Sequence, residues 1–228
     1  PRYHGDMQKS LAFDVYGTLI DPLGISTDLA DIVGEAAPSF ASAWRDKQLE
    51  YLFRRGLGRK YEPFSVCTRQ ALDFTCGALG FDIGEEARAA LMNRYLELPA
   101  FAETGSALRK LKDKGVHCYA FSNGEPDDLA RLLANAGLDD YLRGIVSVHE
   151  TQSFKPDPSV YAYFLENTGA MLGATWLVSG NPFDVIGAMQ VGWKAVWVKR
   201  SAGQLFDPWG VEPTIVVPDL DALVRALD

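Results

Sequence analysis

Asp14 stands near the end of SLAFDV (10–15), an apolar run with the make-up of a buried strand, closed by the turn pair Gly17-Thr18. A carboxylate inside such a run is costly unless something compensates it. It is either a structural group capping the amides of Gly17 and Thr18, or a nucleophile, since an ionised carboxylate beside a cation can form a covalent ester. Perturbed groups gather at functional sites, which favours the second reading. Lys155 is a candidate for the cation. It precedes Pro156, which biases its backbone to an extended shape, and it is either an exposed loop lysine or the group that keeps Asp14 ionised and oriented.

More polar residues close other apolar runs. Tyr16 and Thr18 follow the first, Ser122 and Asn123 end VHCYAFS (116–122), and Ser179 and Asn181 follow TWLV, with Asp184 in the first turn of the next helix. Helix N-capping explains part of the Ser122-Asn123 and Asn181-Pro182 patterns. The same free amides and hydroxyls also suit a bound carboxylate. Arg45 lies in WRDKQLEY (44–51), a mixed-charge stretch in which, taken alone, it reads as a solvated arginine or an ion-pair partner of Asp46 or Glu50. His4, His117 and His149 form neither a Ser-His-Asp arrangement nor a metal-ligand spacing. GxGxxG and GxxxxGK[ST] are both absent, which removes the usual dinucleotide and P-loop readings.

The elements that must position these residues follow a simple order. After the first strand, residues 24 to 98 lose strand character and become helical, most clearly at 40–56 and 67–80, each closed by glycines. Beyond 100, helix and strand alternate. A helix at 104–114 precedes the strand at 116–122, and a helix stopping at Gly137 precedes the strand at 144–148. A helix starting at Asp157-Pro158 then precedes the strand at 175–179, and a helix ending at Gly192 leads to strands at 195–199 and 214–217 and a terminal helix. Apolar strands alternating with helices predict a doubly wound, Rossmann-like parallel sheet covered on both faces. The interruption predicts an inserted all-helical domain, with the α/β core at 7–20 and 99–228 and the insert at 21–98. In such sheets ligands collect at the carboxyl ends of the strands, where Asp14, Tyr16, Thr18, Ser122, Asn123, Lys155, Ser179, Asn181 and Asp184 fall.

Four segments, FDVYGTLID (13–21), FSNGEPDDL (121–129), FKPDPSVY (154–161) and VSGNPFDVIGA (178–188), resemble the four motifs of the haloacid dehalogenase superfamily. Together with WRDKQLEY, which is similar to a cap signature, they resemble the L-2-haloacid dehalogenases most. The resemblance covers nearly the whole chain from about residue 9. It implies hydrolysis of short L-2-haloalkanoic acids, such as haloacetate and 2-halopropionate, to D-2-hydroxy acids through an aspartyl ester on Asp14. In that scheme Arg45 receives the halide, and Ser122, Asn123 and Lys155 hold the substrate carboxylate. Thr18, Ser179 and Asn181 position Asp14, while Asp184 with Lys155 activates water and Tyr161 supports Asp184. Tyr16, Leu49, Phe64 and Phe183 form apolar walls.

Two positions separate this chemistry from the alternative, a Mg²⁺-dependent small-molecule phosphatase of the same superfamily. Phosphatases carry a second Asp two residues after the nucleophile, where this chain has Tyr16, and an acidic group near the fourth motif's start, where it has Asn181. Halide needs no protonation to leave, so a dehalogenase loses nothing by those changes. No metal and no cofactor are expected. Gly180 stands where relatives often carry a second Ser, and Asp46 is expected to point away from Arg45's face.

The 22 Lys and Arg against 30 Asp and Glu give a net charge of −8, which speaks against nucleic-acid or anionic-membrane partners. No apolar run reaches the roughly 18 residues of a membrane span. Cys67, Cys76 and Cys118 form no CxxC, so a reduced cytoplasm is the default. Residues 1 to 6 read as an added leader before a native start at Met7, and the resemblance implies a homodimer.

Overall fold

The computed structural model describes residues 9–227; residues 1 to 6, read above as an added leader, and His4 among them, lie outside these. Six parallel strands form one sheet: β1 (Ser10–Phe13), β2 (His117–Ser122), β3 (Gly144–Ser147), β4 (Thr175–Ser179), β5 (Lys194–Val198) and β6 (Ile215–Val217), in the order β3-β2-β1-β4-β5-β6. The sheet is buried on both faces, as parallel sheets are. Along β1, Leu11 and Phe13 enter one core cluster and Ala12 the other. The chain winds from β1 outward to β3 and then crosses to β4 on β1's other side. That reversal puts the crevice for a ligand at the carboxyl ends of β1 and β4.

Between β1 and β2 lie α1 (Ser26–Val33), α2 (Ala37–Leu57), α3 (Phe64–Leu79) and α4 (Glu85–Arg94), followed by α5 (Thr104–Asp113) against the sheet. The long α2 packs on both α1 and α3. The segments that leave and rejoin the sheet pair with each other: Ile20 bridges Ala100 in antiparallel fashion, Asp21 N donates to Pro99 O at 2.9 Å, and Phe101 N donates to Leu19 O at 3.1 Å. The remaining helices are α6 (Pro126–Asn135), α7 (Pro158–Thr168), α8 (Pro182–Gln190) and α9 (Leu220–Ala226). Asp157 caps α7 by accepting from Ser159 N, with Pro158 at the first helical position, the pairing that fixed backbone geometry favours.

Two capping expectations are corrected. The Ser122-Asn123 side chains do not cap α6, whose N-cap residue is Glu125, without a side-chain cap bond. Asn181 is the N-cap residue of α8 by backbone, yet its side chain makes no capping bond. In both cases the side chains have partners in the crevice. Cys67, Cys76 and Cys118 are free and buried. Among the described residues, no helix is long and apolar enough to cross a membrane.

Candidate active site

Asp14 follows β1 directly, and its backbone N–H still donates to Val178 O of β4 at 3.0 Å. The chain then turns through Gly17, whose φ of +87° suits glycine. Asp14 does not cap that turn, because Gly17 N and Thr18 N donate to Ile20 O and Val15 O instead. Its carboxylate looks inward, 7% exposed. Oδ2 accepts from Thr18 Oγ1 at 3.2 Å, Ser179 Oγ at 3.2 Å and Asn181 Nδ2 at 2.5 Å. Both hydroxyls are aimed from behind. Gly180 N donates to Thr18 Oγ1 at 2.8 Å and Asn181 N to Ser179 Oγ at 3.1 Å, leaving each hydroxyl hydrogen for Asp14.

Lys155 is 1% exposed, so the loop-lysine reading is overturned. Its ammonium donates to Phe121 O at 2.7 Å, Asp184 Oδ2 at 2.8 Å and Asp14 Oδ1 at 3.3 Å, and lies 4.1 Å from the centre of the Phe121 ring. Three donors meet three acceptors, which is how a buried lysine is tolerated. Asp184, fully buried on α8, also accepts from Tyr161 Oη at 2.8 Å. Burial raises the Asp184 carboxyl to about 6, with the Lys155 ammonium pulling the other way. Burial first, then the Asp184 charge, holds the Tyr161 phenol well above its ordinary range, so it stays a donor. Tyr161 is wedged against Phe121 and Trp193, with ring centres 5.8 and 5.6 Å away.

Across the crevice, α2 brings down Arg45, whose Nη2 donates to the Tyr16 carbonyl at 3.4 Å and Nη1 to Gln48 Oε1 at 2.6 Å. Its expected pairing with Asp46 or Glu50 does not occur: Asp46 is exposed, and Glu50 binds Lys47 and Arg54. Asp14, Tyr16, Arg45, Leu49, Leu52, Phe64, Ser122, Asn123, Asn181 and Phe183 enclose one cavity. The Tyr16 ring stacks on Phe64 at 5.0 Å, and Phe183 meets Phe53 edge-on at 5.0 Å. The cavity is small, with room for about one water. Asn123 Oδ1 accepts from Lys155 N at 2.9 Å, tying the second strand's end to the lysine loop.

Asp14, Tyr16, Arg45, Leu49, Phe64, Ser122, Asn123, Asn181 and Phe183 thus line the cavity, while Thr18, Ser179, Lys155, Asp184 and Tyr161 stand behind Asp14 in one bonded chain. Gln48, Leu52, Tyr95 and Arg200 were not singled out. Arg200 follows β5 at the same rim and donates to the Thr18 carbonyl and to Glu103, so the strand-end rule points to it. Gln48 and Tyr95 carry no such signal.

The profile of the haloacid dehalogenase-like hydrolases matches residues 8–192. The (S)-2-haloacid dehalogenase of Pseudomonas sp. (strain YL) is 34% identical over 98% of this chain and 96% of its own. The chain belongs to the haloacid dehalogenase-like hydrolases, in the branch of the (S)-2-haloacid dehalogenases. Haloacetate dehalogenase H-2 of Moraxella sp. (strain B) is 32% identical over 96% of this chain and 97% of its own. Among solved structures, the L-2-haloacid dehalogenase of Xanthobacter autotrophicus with chloropropionic acid covalently bound superimposes with a TM-score of 0.91. That pair is 30% identical and covers 97% of this chain and 98% of the other. Like these dehalogenases, the chain is a hydrolase with an α/β Rossmann-like core.

A Ser at position 180 would not fit this dehalogenase. A Cβ built on Gly180 lies 2.2 Å from Gly17 O, a backbone atom, so the turn carrying Asp14 closes directly onto Gly180.

Proposed function

We propose that this enzyme hydrolyses short L-2-haloalkanoic acids, haloacetate and 2-halopropionate among them, to D-2-hydroxy acids and halide through an ester on Asp14. The observation that carries it is the buried row Asp14–Lys155–Asp184 facing Arg45 across a small cavity walled by Tyr16, Leu49, Leu52, Phe64 and Phe183. With Oδ2 engaged by three donors, Oδ1 is the attacking oxygen. It forms the bond to C2 as the carbon–halogen bond breaks on the opposite side, and the halide departs toward Arg45, whose delocalised cation suits a weakly hydrated anion. Ser122 and Asn123, which line the cavity, hold the substrate carboxylate; Lys155, its three hydrogens taken by Phe121 O, Asp184 and Asp14, holds those two carboxylates in place rather than the substrate.

In the second half, Asp184 takes a proton from water as the water oxygen attacks Cγ of the ester. Negative charge then builds on the ester's carbonyl oxygen, where Thr18, Ser179 and Asn181 already aim their hydrogens. The alkoxide leaves, gains a proton and departs as the hydroxy acid, with C2 inverted. The helical insert acts as the cap that closes the cavity. The Asn181 amide spans Asp14 Oδ2 and, at 2.9 Å, the Tyr16 carbonyl. It places a donor between two acceptors that a bound cation would need for itself, and this favours displacement of halide over metal-assisted phosphoryl transfer.

The test is halide release from L- and D-2-chloropropionate and chloroacetate, with EDTA and with Mg²⁺, beside a phosphate-ester control. Release restricted to chloroacetate and the L-enantiomer, resistant to EDTA and lost in Asp14→Asn, is the expected result. Metal-dependent phosphate release without halide release sinks the proposal.

A further inference from the structure

Gln48 lies one turn beyond Arg45 on α2 and is fully buried, although it is an amide. Its Oε1 accepts from Arg45 Nη1 at 2.6 Å and from Tyr95 Oη at 3.1 Å, while its Nε2 donates to Thr68 Oγ1 at 2.5 Å. The Thr68 hydroxyl gives its single hydrogen to the Phe64 carbonyl at 2.8 Å, so toward Gln48 it can only accept. Thr68 thereby fixes which end of the amide points where: nitrogen to Thr68, oxygen to Arg45. The α3 backbone adds a second anchor, since Thr68 O accepts from Trp44 Nε1 at 2.9 Å, next to Arg45 in the chain.

Two effects on Arg45 follow. Its guanidinium is held between Gln48 Oε1 and the Tyr16 carbonyl, at the wall of the cavity that also contains Asp14. Its partners there are also neutral. Among the described residues no carboxylate forms an ion pair with Arg45: Asp46 is exposed, and Glu50 is taken by Lys47 and Arg54. A glutamate of the same shape in Gln48's place would compensate the cation at hydrogen-bond distance.

We propose that Gln48 is a positioning residue that holds Arg45 in place while leaving its positive charge uncompensated for the departing halide. This rests on the reading of Arg45 as halide acceptor.

The variant Gln48→Glu keeps the side chain's shape and changes its charge. Its kcat for 2-chloropropionate should fall about 10²-fold, with KM changed less than about threefold. The loss should be smaller for 2-bromopropionate, whose weaker carbon–halogen bond asks less of the acceptor, and inhibition by added bromide should weaken in parallel. A purely structural role moves the melting temperature but not the chloride-to-bromide ratio. Arg45→Gln is measured beside it. If Arg45→Gln releases halide at the wild-type rate, the reading of Arg45 itself falls. If Arg45→Gln is inactive while folded Gln48→Glu keeps wild-type kcat, halogen ratio and bromide inhibition, only the role of Gln48 is overturned. Should Gln48→Glu not fold, Thr68→Val answers instead, because Thr68 does not line the cavity. A loss in kcat of about threefold or more, larger for chloride than bromide, supports the proposal, and an unchanged ratio overturns it.

Discussion

At the scale of single residues, the site turns on one buried cation shared by two carboxylates. Asp184 titrates at about 6 instead of 3.8 because burial outweighs the help of Lys155. As a base it works only when deprotonated. Ester hydrolysis in a single turnover should therefore fall as pH drops through about 6, approaching tenfold per pH unit below it. Stability has the opposite sign, since the native state binds this proton more tightly than the unfolded chain does. Asp184 thus contributes less stability as pH rises from about 4 to about 6, a slope that Asp184→Asn should remove from paired melting curves. A flat single-turnover profile across that range would show that another group is the base. Asp14 was legible because a charge inside an apolar run demands a partner, and Lys155 because it falls in the loop beyond a strand's carboxyl end, where such sheets collect ligands. Gln48 and Tyr95 were not, because their meaning lies in contacts between helices far apart in the chain.

At the scale of elements, the strands were legible to within two residues because each is a short apolar run between turn residues, and parallel strands are buried on both faces. The insert was harder. α4 (EEARAALMNR) buries only Leu91 and shows no apolar stripe, and α1, with Leu29 and Val33 buried one turn apart, is too short at eight residues for its stripe to stand out. What no pattern reveals is how closely elements approach. The turn after β1 meets the start of α8 at Gly180, and α7 meets α8 at Gly187, where a Cβ would lie 2.4 Å from Tyr161 Oη and 2.6 Å from Pro156 Cβ. Gly180→Ser should cost about 1–3 kcal/mol in urea unfolding and displace Asp14, lowering kcat. Gly187→Ala should cost a similar amount and, by pushing the Tyr161 hydroxyl off Asp184, impair ester hydrolysis more than ester formation. Wild-type stability in both would mean that the helices adjust freely.

At the scale of the molecule, the helical insert and the sheet meet along a seam of specific polar contacts. The Glu125 carboxylate accepts from Ser65 N at 3.0 Å and Ser65 Oγ at 2.7 Å, capping α3 from the sheet's side of the seam, and Tyr61 Oη bonds His149 Nδ1 at 2.8 Å. A carboxylate at a helix start also meets the positive end of its dipole. Glu125→Ala should lose about 1 kcal/mol, lower the melting temperature by about 2–4 °C, and speed hydrogen exchange in the first turn of α3. Unchanged exchange there would mean that packing alone seats the helix.

The paired segments at 19–21 and 99–101 carry a consequence for how this architecture diversifies. The backbone leaves the sheet and comes back at neighbouring points already stitched by two hydrogen bonds. Everything between them can be exchanged for a different excursion without lengthening the path or disturbing the strand register. One chassis can so host covers of different shape, each reshaping which molecules reach an unchanged aspartate.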